Sequence, residues 1–163
     1  SDALDRLHLF AGQRPITEED VDGTVASLRE AELDAIQESI GARETTKSLL
    51  LLDNLLRQKK PGLLILTYTA TRIRQLILAR DAIERSADVG AAIKAGKLWV
   101  RNVPAITAQA RKWTTPQLSR ALKLAAMADL KLKSGGGRDR EARVLEELIL
   151  ALDGRPGLGE AAM

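Results

Sequence analysis

Apolar residues recur at intervals of three and four along most of the chain, and no stretch sustains an alternation of two. That period belongs to helices with one buried stripe. Residues 3–11 form a first segment of this kind, stopped by Gly12. Thr17 precedes Glu18, Glu19 and Asp20, an N-cap residue followed by acids where the helix dipole favours them. Gly23 is expected to keep that second helix short. A further helix spans about 27–40, with Leu28, Ala31, Ala35, Ile36 and Ile40 inward and Gly41 at its end.

The next segment, about 45–60, carries Leu49 to Leu52 in one run, then Leu55 and Leu56. A helix apolar on several sides is expected at the centre of the fold. Pro61 suits the first turn of the following helix, which runs to about residue 85 with Leu66, Ala70, Ile73, Leu76 and Ile77 on one stripe. Shorter elements are expected at 88–95, 103–113 and 115–134. Gly135, Gly136 and Gly137 break the chain before a last amphipathic helix at 138–152, through Val144, Leu145, Leu148, Ile149 and Leu152. From Asp153 the tail is rich in Gly and Pro, and disorder is expected there. The fold class is all-α.

Composition narrows the chemistry. The 163 residues include no Cys and one His, so thiolate chemistry is excluded and a His-based triad or zinc site lacks its ligands. His8 reads as a half-exposed helix residue. No apolar run is long enough to cross a membrane, and no secretory signal opens the chain. The chain starts at Ser1, with Leu4, Leu7 and Phe10 already patterned, which reads as a piece of a longer protein.

Net charge is +3, unevenly spread. Residues 1–56 hold 5 Lys/Arg against 12 Asp/Glu, residues 57–140 hold 18 against 5, and residues 141–163 hold 2 against 5. A basic middle between acidic ends suits a nucleic acid or an acidic neighbour, or is simply a solvated set of Lys- and Arg-rich helices.

A few residues stand out against this pattern. Asp129 falls near the middle of the face formed by Leu118, Ala121, Leu122, Ala125, Ala128 and Leu132, and a carboxylate there needs a partner. Lys133 lies four residues on. Arg80, on the stripe of the long helix, and Arg72, at its edge, are the candidates for a structural ion pair. Trp99 and Trp113 read as packing anchors with the indole N–H at the rim, or as a platform for bases or a partner. Two adjacent-acid pairs, Asp20 with Asp22 and Glu146 with Glu147, do not share helix faces and read as surface charge. The loop 134–138 is Gly-rich but lacks the lysine-hydroxyl ending of a phosphate loop. Residues 88–113 approach a helix-turn-helix, yet Asn102 stands where an apolar residue should lock the second helix, and Pro104 lies near its start. No catalytic residue, cofactor or metal site is expected.

Three stretches carry a family likeness. LDRLHLFAGQRPITEEDV at the start, the run from Glu32 to Ala82, and Leu98-Trp99 through Gln117-Leu118 to Asp129-Leu130-Lys131-Leu132-Lys133 together resemble the delta subunit of the bacterial DNA polymerase III clamp loader. The likeness covers about residues 3–152, and the last stretch is its most specific part. Where many members have a His-Pro-aromatic element, this chain has Leu98-Trp99-Val100. The resemblance implies a non-catalytic subunit of a five-membered ATP-driven loader that places the sliding clamp on primed DNA. Residues 1–26 would end the AAA+-like lid domain, 27–152 would form the helical collar that holds the subunits together, and 153–163 would be tail. It further implies a cytoplasmic protein partnered by the motor subunit gamma/tau and delta-prime. Contact with the clamp would run through an N-terminal domain outside this chain. DNA contact would be indirect or weak, and the alternative is a helical DNA-binding module using residues 57–140.

Overall fold

Seven helices account for the regular structure of the residues that the computed structural model describes, 18–154, with side chains described from residue 30 onward. They are α1 (Glu18–Gly41), α2 (Thr45–Arg57), α3 (Gly62–Glu84), α4 (Val89–Ala95), α5 (Val103–Ala110), α6 (Thr115–Lys133) and α7 (Gly137–Leu152). No strand occurs among these residues. The helix expected at 3–11, His8 and the tail beyond residue 154 lie outside them.

Gly23 does not divide the chain. α1 runs unbroken from Glu18 to Gly41 and passes straight through the boundary expected at residues 26–27. One interior glycine costs a helix only about 1 kcal/mol against alanine, which a long helix absorbs.

The centre of the fold is α3, not the leucine-rich α2. α3 packs against α1, α4, α5, α6 and α7, whereas α2 packs chiefly against α1 and α7. Burial follows: Ile65, Leu66, Thr69, Arg72, Ile73, Gln75, Leu76, Ala79 and Ala82 of α3 are all buried. In α2 only Ser48, Leu52 and Leu55 are, and Leu50 stands in solvent. The leucine run marks apolar content without periodicity, so one of its members necessarily faces outward.

Caps explain where several helices begin. Asp88, Asn102 and Thr114 each accept a backbone N–H of the first turn, from Ala91, Ala105 and Gln117. At α6 the cap is reciprocal, because Gln117 Oε1 accepts the Thr114 N–H at 2.9 Å. Asn102, awkward in a helix-turn-helix, is thus a helix start.

Four helices end alike. After α1, α2, α3 and α4 the chain closes with paired bonds such as Arg43 N–H to Ile40 O and Glu44 N–H to Ser39 O. The residue that turns left-handed is never glycine: Arg43, Lys59, Ser86 and Lys97 have φ of 62°, 61°, 55° and 60°.

Candidate functional site

The least ordinary feature of the interior is a guanidinium. Arg72 lies one position before Ile73 on α3 and is only 5% exposed. Its Nε donates to Gln75 Oε1 at 2.9 Å, and Nη1 donates to Gln109 Oε1 at 2.8 Å. Nη2 donates to Glu38 Oε1 at 2.9 Å and to Gln37 Oε1 at 3.2 Å. The planar fork of arginine supplies these directions together, which a lysine ammonium would not.

The partners are tied in turn. Gln109 Nε2 donates to Glu38 Oε2 at 2.6 Å, Gln75 Nε2 to the Trp99 carbonyl at 2.6 Å, and Gln37 Nε2 to the Tyr68 carbonyl at 2.9 Å. Burial would raise the Glu38 carboxyl, but the Arg72 hydrogen bond and charge, with the Gln109 amide, outweigh it and hold the group below its ordinary 4.5. Gly41 completes the arrangement. A side chain there would run into the Gln109 amide, whose Cδ would lie 2.9 Å from a new Cβ. The network fixes α1, α3 and α5 to one another.

A second tie holds the same C-terminal end of α1. Trp113 is 2% exposed, and its indole N–H donates to the Gly41 carbonyl at 2.9 Å. The Arg43 guanidinium stacks 4.2 Å from the Trp113 ring centre and donates to Gln117 Oε1 and the Leu152 carbonyl. The α1–α2 turn is thereby bound to the start of α6 and the end of α7.

The ion pair expected for Asp129 is drawn differently. Asp129 accepts from Lys133 at 2.8 Å within its own helix, Arg80 pairs with Glu84 at 3.3 Å, and Arg72 is committed to Glu38. Asp129 keeps 38% of its side chain exposed, so solvent with one lysine satisfies it and no cross-helix partner is needed.

Trp99 also departs from the packing role. It is 71% exposed, held by its backbone carbonyl, with Arg101 5.9 Å from its ring. The link between α4 and α5 places it in the lining of a cleft of about 150 Å³, with Asp34, Gln37, Arg72 and Gln75. That volume falls below the several hundred Å³ of a typical small-molecule site.

Sequence reasoning passed over Gln37, Glu38, Gln75 and Gln109. The available signal was a pair of glutamines on otherwise apolar stripes, Gln75 and Gln109; Gln75 has Arg72 three residues away, but the other partners of the pair lie 24 to 71 residues off. Among the described residues no three His, Cys, Asp or Glu side chains converge as metal ligands, and no helix is long and apolar enough to cross a membrane. The polar groups of the network face one another. Such an arrangement sets helix register.

Residues 35–152 match the family model for the DNA polymerase III delta subunit, C-terminal domain. Among solved structures the chain is similar to the DNA clamp loader delta protein of Bacillus subtilis, with a TM-score of 0.68 and 24% identity. The match covers 94% of this chain and 45% of that one, so the chain spans less than half of that protein's length. At this identity the likeness speaks for the fold. No curated protein matches the chain.

Proposed function

The chain belongs to the DNA polymerase III delta subunit family through its C-terminal domain, and from that premise we propose that it is an assembly module of a clamp loader. Residues 27–152 act as the collar that joins delta to its sister subunits, residues 1–26 end the preceding lid domain, and 153–163 are tail. The motor subunit gamma/tau and delta-prime are the partners. The sliding clamp is reached through the rest of the delta subunit, and no bond is made or broken on this domain.

The observation that carries this reading is where the polar groups go. Arg72, Glu38, Gln75 and Gln109 spend their hydrogen bonds on each other, which makes three helices a rigid body. Apolar side chains meanwhile stand outside, Leu50, Trp99, Met127 and Leu130 each at least half exposed. A rigid frame with outward apolar residues suits docking. Mixing the chain with the motor and delta-prime subunits is expected to give one co-eluting species on size exclusion. Separate elution of folded components would reject the proposal.

The DNA-binding alternative draws on exposed Lys94, Lys97, Arg111, Lys112 and Lys123. It requires affinity of the isolated chain for DNA that falls steeply with salt.

A further inference from the structure

α6 buries Leu118, Ala121, Ala125 and Ala128 and presents the opposite side to solvent. Centred on that outer side are Met127, 50% exposed, and Leu130, 70% exposed, with Ala126 beside them. Around them stand Lys123, Lys131 and Lys133, all exposed. Residues 123, 126, 127 and 130 follow helical spacing, so they form one strip. Asp129 is the single acid of the helix, and it is engaged by Lys133. α6 packs on α3 and α7 and leaves this strip uncovered by any described element.

The same domain has an opposite electrostatic flank. Over the part of α1 whose side chains are described stand Glu30, Glu32, Asp34 and Glu38 with no Lys or Arg, while α6 carries four Lys or Arg and one Asp. Both helices pack on α3, and they share no extensive interface with each other. A body with one basic-apolar flank and one acidic flank is built for head-to-tail contact, the kind that closes into rings. Charges set the orientation of such a contact, and a desolvated apolar pair at its centre supplies most of the affinity.

We infer that the outer face of α6, Met127 and Leu130 ringed by Lys123 and Lys131, seats an acidic helix of one neighbouring subunit's C-terminal domain. The inference rests on the assembly reading and adds the face, the polarity and the chemistry of the partner. It gives the two apolar residues the role of anchors and the lysines the role of guides.

The test compares a whole delta subunit with two variants, Met127→Asp/Leu130→Asp and Lys123→Glu/Lys131→Glu, titrated against the motor subunit and against delta-prime separately. The first variant is expected to bind one of the two at least about tenfold more weakly. The second is expected to bind that same subunit more weakly at low salt and to lose most of the salt dependence. All positions are on the solvent side, and circular dichroism reports whether the fold persists. Should the apolar variant unfold, the charge variant alone decides. Unchanged affinity of both variants, with the unaltered protein binding normally, overturns the inference and leaves the assembly reading standing. Failure of the unaltered protein to bind either subunit overturns both. Loss of affinity for a single-stranded oligonucleotide with subunit binding intact assigns the face to nucleic acid and likewise overturns it.

Discussion

Arg72 concentrates the residue-level energetics. A buried guanidinium is stable here because four acceptors surround it, and its removal would take the Arg72 donor from the side-chain oxygens of Gln75, Gln109, Gln37 and Glu38. Arg72→Met is therefore expected to cost about 3 kcal/mol in a denaturant titration. Glu38 is half exposed, so the effect of Glu38→Gln is smaller and depends on pH. Its carboxyl titrates lower folded than unfolded, so the ionised pair contributes stability above the ordinary carboxylate value of 4.5. That contribution is lost as pH falls through the lower, folded value. The stability gap between the native protein and Glu38→Gln should be widest near neutral pH and close in acid; a gap independent of pH would contradict the pairing. Gly41→Ala offers a sharper check, since helix propensity alone would favour alanine. Contact with the fixed Gln109 amide reverses the sign, to an expected loss of about 1–3 kcal/mol in the same titration. None of this was legible in the sequence beyond Arg72 at a stripe edge, because all its acceptors but Gln75 come from helices distant along the chain.

At the scale of elements, local patterning served well. From residue 45 to residue 152 every helix lies where apolar period and cap residues place it, with ends shifted by a few positions. The exceptions have physical reasons. A lone glycine does not end α1, an apolar run is not a central helix, and a carboxylate on an apolar face reaches solvent when the face is narrow at its C-terminal end. Of the two readings of Trp99, packing anchor or outward platform, its exposure rules out the first, because an aromatic beside a helix says nothing of which way its connecting loop turns. The helix ends supply a prediction of their own. Lys59 and Ser86 take the left-handed conformation that costs a side-chain-bearing residue about 1 kcal/mol. Glycine at either position should raise the melting midpoint, by about 0.5–1 kcal/mol in stability. Arg43 has the same backbone but also stacks on Trp113 and bonds the end of α7, so Arg43→Gly should lower it. Identical responses at the three sites would show that the Arg43 contacts contribute nothing.

For the whole molecule, fold class and family were both within reach of the sequence, since helical period and the Trp99-to-Lys133 stretch are local signals. Which side chains would be left outside was not, because exposure depends on how seven helices share one core. The uneven charge written along the chain becomes, once folded, an acidic α1 and a basic α6 attached to the same central helix. In the proposed assembly that polarity would give the domain a direction. Sedimentation velocity of this chain mixed with the motor and delta-prime subunits reads the consequence directly. The account predicts a single faster boundary containing all three proteins, whereas three independent boundaries from folded components would contradict it.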